Sequence, residues 1–230
     1  MEKETREQKL SERLYEAAKP EWDKAAAQNF VIEMARGTLD PARFRTYMLQ
    51  DYLYLIEYVQ ILELIKTQLE SEFVDKAIAE TKREMQSVHI PNMKKIGITE
   101  SEIKNATKIK EIADYLDYMK TQTKAGGPLV GLVALLQCSW GYAYIAQTVG
   151  EKYRQAIETS AYKSWFDAYS SDSYQRANRE WIHIVDRLAE GKEEQMLIET
   201  FVRCAEFETL LWGRGQCHLD SINLDYGILL

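Results

Sequence analysis

The chain has 230 residues, 46% of them hydrophobic, with only 4 prolines and 11 glycines, so it can bury a sizeable core with few encoded breaks. A formal net charge of −7 at pH 7 argues against nucleic acid as a principal partner. Three cysteines, an odd number without a CxxC pair, point to free thiols in a reducing, cytoplasmic setting rather than to a disulfide framework.

The charged N-terminus, MEKETREQKLSERLYEAAKP, reads as an amphipathic helix over about residues 5–19 ending before Pro20, and not as a signal peptide. A short segment follows, with Gly37 as its C′ stop. Asp40 N-caps the next helix, with Pro41 at its first position. That helix spans about 41–69 and carries Phe44, Tyr47, Met48, Asp51, Tyr54, Leu55 and Tyr58 on one stripe. A charged helix runs from about 71 to a kink or break at Pro91. Thr99 begins a capping-box-like start, Thr-Glu-Ser-Glu. Another helix covers about 108–123, and Gly126-Gly127-Pro128 makes a turn.

The most apolar helix of the chain lies between Pro128 and Gly150. Its length raises the question of a membrane span, but Gln137, Ser139, Gln147 and its glycines fit the buried centre of a helical domain better. Shorter helices are expected over 151–170, then one over about 172–190 ending near Gly191, and a last long one over about 193–221. No alternating β-branched run of strand length occurs. The expectation is an all-α bundle forming one domain over 1–230, with 217–230 as a C-terminal tail. Such bundles build their sites from side chains on facing helices.

Several helices offer a polar group on an otherwise apolar face. Leu135, Cys138, Tyr142 and Ile145 share one face, where a thiol beside a phenol is either inert filling or a nucleophile. Phe201, Cys204, Ala205, Glu208, Leu211 and Trp212 share another, which places the Glu208 carboxylate in an apolar stripe. Burial of such a group raises its pKa and suits it to acid–base work, unless it is simply capped by neighbouring donors. Asp51 repeats the pattern among Tyr47, Tyr54 and Tyr58. Tyr162, Trp165, Phe166 and Tyr169 form an aromatic face, and Tyr115 points inward with Leu116 and Met119; both are also what ordinary core packing produces. Together these groups would suit a pocket for a flat, nitrogen-rich ring, with aromatic faces stacking it, two carboxylates meeting its polar edge and Cys138 attacking.

These residues carry a family resemblance over nearly the whole chain. Gly37-T-L-D-P-A-R-F-R-T-Y-M-L-Q-D-Y-L-Y-L, Leu135-L-Q-C-S-W-G-Y, Tyr162-K-S-W-F-D-A-Y and Glu208-T-L-L-W occur in the order and spacing of four segments of the TenA (thiaminase II, aminopyrimidine aminohydrolase) family, which the chain resembles. The resemblance implies a haem-oxygenase-like helical bundle, a homotetramer, and no metal or cofactor. It implies Cys138 as nucleophile and Glu208 as acid/base. Asp51 would hold the pyrimidine amine, Tyr115 the ring or the carboxylate, and Tyr54 would line the pocket. Tyr142 would orient the thiol and Tyr169 would support Glu208. The implied reaction is hydrolysis of 4-amino-5-aminomethyl-2-methylpyrimidine to the hydroxymethylpyrimidine and ammonia, with cleavage of thiamine as a secondary activity, in thiamine salvage. One departure is Leu211, where many members have an aromatic residue.

Two rivals come from other classes. A metal-dependent oxidase on the same bundle would need paired Glu-x-x-His motifs. The chain has three histidines and one such spacing, Glu180 to His183. His89, five residues after Glu84, is out of register and reads as a helix-surface or interface residue. The other rival is a non-enzymatic relative that binds a pyrimidine or thiamine.

Overall fold

The computed structural model describes residues 8–214. Along the chain run α1 (Leu10–Ala26), α2 (Asn29–Arg36), α3 (Pro41–Lys66), α4 (Glu72–Glu84), α5 (Ile90–Lys95), α6 (Glu100–Asn105), α7 (Lys110–Lys152), α8 (Arg154–Ile157), α9 (Lys163–Ser170), α10 (Asp172–Ala189) and α11 (Gln195–Arg214), with no strand among the described residues. The fold is all-α, as the apolar periodicity predicts. The expected tail, with Cys217, lies outside the described residues.

Local chemistry sets most of the boundaries. Gly37 closes α2 in the left-handed conformation, φ 70°, which costs glycine nothing. Asp40 accepts a hydrogen bond from the Ala42 backbone N–H, with Pro41 opening α3. Thr99 and Glu102 form the expected capping box of α6.

Three boundaries differ from the sequence reading. Helix α1 does not stop before Pro20 but carries that residue inside it. Proline costs a helix one hydrogen bond, yet the turns beyond it bury Trp22, Ala25 and Ala26, and that burial holds the helix together. The break expected near Pro91 is a π turn, Met85–His89, joining α4 to α5. The Gly126-Gly127-Pro128 turn is a kink within α7, where Gly127 takes φ 80° and ψ −170°.

Helix α7 is the axis of the molecule and packs against α1, α3, α9, α10 and α11. Leu132, Val133, Ala134, Leu135 and Leu136 are fully buried. Each large apolar side chain so buried contributes about 1.5–3 kcal/mol. By length and composition α7 could cross a membrane, but 78% of its most apolar window is inside the protein, the position of a core helix.

The apolar interior is divided. One cluster gathers α1, the later turns of α3, and the facing parts of α7, α10 and α11. A second gathers α2, the end of α7, α9 and Trp212. Cys138 packs against both, so it sits at their seam.

Candidate active site

The helices converge on that seam. Helix α3 brings Tyr47, Asp51, Tyr54 and Tyr58, and α7 brings Tyr115 before its kink and Cys138 and Tyr142 after it. Tyr169 comes from α9, Tyr174 from α10, and Glu208 and Trp212 from α11. The kink at Gly127 lets one helix supply residues from two directions. Cys138 keeps some accessible surface, yet burial is the main influence raising its thiol pKa. Tyr47, Tyr169 and Tyr174 likewise keep some accessible surface while burial is the main influence raising their pKa values.

Glu208 is 5% exposed. Burial, helped by the nearby Asp51 charge, outweighs the opposing influence of the Cys138 thiol and Tyr115 and leaves its pKa at about 8. At neutral pH the group is therefore mostly a neutral acid, able to donate a proton. The Tyr115 hydroxyl lies between two acceptors: it donates to Gln137 Oε1 at 2.9 Å and also bears on Glu208. Burial also pushes the Cys138 thiol up, and the Glu208 charge adds to this, so the resting group is a thiol rather than a thiolate.

Two phenols join those to which the resemblance gives the roles of orienting the thiol and supporting Glu208. Tyr54 also acts on the Cys138 thiol, and its buried hydroxyl has no hydrogen-bond partner. Tyr142 stands among Tyr47, Trp165, Tyr169 and Trp212 and is coupled to Cys138 and Glu208 as well. The phenol beside Glu208 is Tyr115, whereas Tyr169 faces Tyr47, Asp51 and Tyr174. Spacing along a helix names the face a residue occupies, but which neighbour it meets there depends on how the other helices cross.

Aromatic rings wall the site on two sides. Phe207, Tyr115 and Tyr54 stack in a row, with ring centroids 5.4 and 5.6 Å apart. Separately, Tyr47 stacks on Trp212 at 5.5 Å and accepts a hydrogen bond from Trp165 Nε1 at 3.1 Å. Such rings offer flat faces to a planar ligand. Tyr47 and Trp212 lay on the stripes read from the sequence, but their partnership across helices did not. Next to the nucleophile candidate, the Ser139 hydroxyl donates to Asn178 Oδ1 at 2.5 Å, and Asn178 Nδ2 donates to the Ser139 carbonyl at 3.2 Å. These bonds tie α10 to α7 beside Cys138.

His89 is the group sequence reasoning missed. Expected on the surface, it is 5% exposed, and its Nε2 lies 2.9 Å from Asp51 Oδ2. Burial by itself would lower its pKa, but the hydrogen bond and charge of Asp51, with the charge of Glu84, raise it overall. The π turn is responsible: bonding five residues back makes Glu84 and His89 neighbours, which an α-helical register would not do. The Glu180–His183 spacing leads nowhere comparable, because Glu180 pairs with Lys76 and His183 is exposed. Among the described residues no three His, Cys, Asp or Glu side chains are grouped as metal ligands.

The fold and site define a helical bundle with a thiol and a buried carboxylic acid converging in an aromatic pocket. A model of the TENA/THI-4/PQQC family matches residues 15–218, and the chain belongs to that family. It is similar to an aminopyrimidine aminohydrolase of Helicobacter pylori, 31% identical over 210 residues that cover 88% of this chain and 96% of the relative. It is also similar to an aminopyrimidine aminohydrolase of Halalkalibacterium halodurans, 29% identical over 86% of this chain and 92% of that one. The solved structure of a TenA homologue from P. horikoshii OT3 has the same fold, with a TM-score of 0.80 at 23% identity over 90% of this chain and 98% of that one.

Proposed function

We propose that this chain is an aminopyrimidine aminohydrolase. It would convert 4-amino-5-aminomethyl-2-methylpyrimidine and water to the hydroxymethylpyrimidine and ammonia, with slower cleavage of thiamine, in thiamine salvage. The observation that carries this reading is the neutral Glu208 acid against the Cys138 thiol, inside a pocket of stacked rings. The relatives named above support the substrate class.

The geometry suggests an order of events. The ring stacks between the Tyr54–Tyr115 and Tyr47–Trp212 walls, and Asp51 accepts from its exocyclic amine. Glu208 donates its proton to a ring nitrogen, which makes the neighbouring ring carbon electrophilic, and then takes the proton of Cys138 as sulfur bonds to that carbon. The acid is thus restored, and the thiol proton has in effect moved to the ring. The 5-aminomethyl group, carried as its ammonium, is then expelled as ammonia by the ring nitrogen's electrons. Water adds to the methylene and gives up a proton to the released ammonia, the C–S bond breaks, the ring-nitrogen proton returns to the sulfur by way of Glu208, and aromaticity returns. Tyr54, facing the sulfur, offers the thiolate a donor at both ends of the cycle. Rings that exclude water protect the reactive methylene from unguided attack.

The protein is further proposed to work in the cytoplasm as a homotetramer, which light scattering would test. The central experiment is ammonia release from the aminomethylpyrimidine by wild type and Cys138→Ser, with thiamine alongside. Turnover by wild type that falls at least about a thousandfold in the variant is expected for a lost nucleophile. Absence of turnover of both compounds by folded wild type would overturn the reading in favour of a binding protein.

A further inference from the structure

The chemistry above uses Asp51 but not the buried His89 paired with it, and three observations single out His89. His89 is held by an irregular turn: the Ile90 N–H donates to the Met85 carbonyl, five residues back. Such π turns inside helices cost hydrogen-bond geometry and recur at functional sites. Second, the ring is aimed, with Nε2 2.9 Å from Asp51 Oδ2. Third, its Nδ1 is buried without a hydrogen-bond partner, and the charged group in front of it is Glu84 Oε1 at 4.0 Å. Glu84 stands at the rim, its side chain 46% exposed.

Asp51 has two oxygens. With Oδ2 engaged by His89, the other is free to turn toward the pocket, where Glu208 and Cys138 already feel the Asp51 charge. A carboxylate bound on one side by an N–H loses its rotational freedom and keeps one acceptor direction. We propose that His89 is the positioning residue for Asp51: it fixes the carboxylate as an acceptor for the substrate's exocyclic amine, with Glu84 closing the far side of the imidazole. This rests on the reading that Asp51 receives that amine. The groups facing His89 are Asp51 from α3 and Glu84 from the end of α4, and beyond Asp51 stand Tyr169 of α9 and Tyr174 of α10. The Asp51 hydrogen bond and charge, with the Glu84 charge, thus outweigh burial and favour the protonated imidazole relative to an ordinary histidine.

Two measurements test the proposal. The first is an NMR titration of the imidazoles, tractable because the chain has three histidines. His89 should titrate above the ordinary histidine range in wild type and lower in Asp51→Asn. Identical titrations in the two proteins overturn the pairing without reference to any activity. The second is kinetic. His89→Ala should lower kcat/KM for the aminomethylpyrimidine about 10- to 100-fold, the loss expected for a hydrogen bond to a charged group. His89→Gln, whose amide N–H can reach Asp51, should recover most of it while losing the pH dependence that the imidazole contributes. In an Asp51→Asn background His89→Ala should add nothing further. An undiminished kcat/KM in His89→Ala, or an equal loss in both backgrounds, overturns the positioning role. If wild type turns over no aminopyrimidine, the functional reading fails on its own. Calorimetric binding of the hydroxymethylpyrimidine to wild type and His89→Ala then decides the positioning role, with equal affinities overturning it.

Discussion

Glu208 on α11 and Cys138 on α7 are neighbouring buried groups that act on each other's protons in opposite senses. The thiol proton favours the Glu208 carboxylate, while the carboxylate opposes the thiolate. In the resting protein both protons stay on, and a substrate ring that accepts one of them releases the other.

Turnover should fall as pH rises through about 8, because burial first, and the Asp51 charge after it, lift the Glu208 pKa to that value and the reaction uses its protonated form. At pH 7 roughly nine-tenths of the group is protonated. A pH profile of kcat/KM for the aminomethylpyrimidine should show this basic limb, and Glu208→Gln should abolish it together with most of the activity.

The same carboxyl group costs stability at high pH. Its folded pKa, about 8, lies above the ordinary value of 4.5, so between these values the folded state binds more protons than the unfolded one. Stability from this group therefore falls as pH rises through that window, by roughly 1.4 kcal/mol for each pH unit. Glu208→Gln should melt at a higher temperature than wild type at pH 9, and the difference should shrink toward pH 5. Differential scanning fluorimetry at the two pH values checks it, and a variant less stable than wild type at pH 9 contradicts it.

Alkylation of Cys138 should report on its neighbour. At pH 9 wild-type Glu208 is ionised and opposes the thiolate, so iodoacetamide should label Cys138 faster in Glu208→Gln than in wild type. Cys204, fully buried one turn before Glu208, should label far more slowly in both proteins. Peptide mapping by mass spectrometry resolves the sites.

Tyr54→Phe should separate stability from activity. The hydroxyl is buried with no hydrogen-bond partner, so its removal should leave the melting temperature unchanged or raised. If it supports the thiolate during turnover, kcat/KM should fall about tenfold, the effect of one hydrogen bond of about 1.4 kcal/mol. A destabilised variant with full activity would contradict both parts.

Two glycines of α7 should behave in opposite ways. Gly127 at φ 80° and ψ −170° occupies backbone space that other residues enter only under strain, so Gly127→Ala should destabilise by about 1–3 kcal/mol and disturb the Tyr115–Cys138 relationship across the kink. A Cβ at Gly150, inside the same helix, meets no atom within 4 Å. Gly150→Ala should therefore gain about 0.5–1 kcal/mol of helix propensity. Chemical denaturation of the two variants compares them directly.

The sequence by itself determined the helices and the faces they bury. Apolar spacing placed Cys138, Asp51 and Glu208 on inward stripes, and the Asp40 cap, the Gly37 stop and the Thr99 capping box marked helix ends, because these signals lie within a turn or two of the chain. Pro20 misled for the same reason: a local rule ends the helix there, and the distant burial of Trp22 and its neighbours carries it through. What only the tertiary structure decided is which inward groups meet. Tyr54 joins Tyr142 near the thiol, Tyr115 stands by Glu208, and His89 reaches Asp51 through a π turn. Periodicity gives each helix a buried side, but it carries no information about crossing angles between helices or about a one-residue change of register within one, and those two quantities bring acid, thiol and imidazole to the same place.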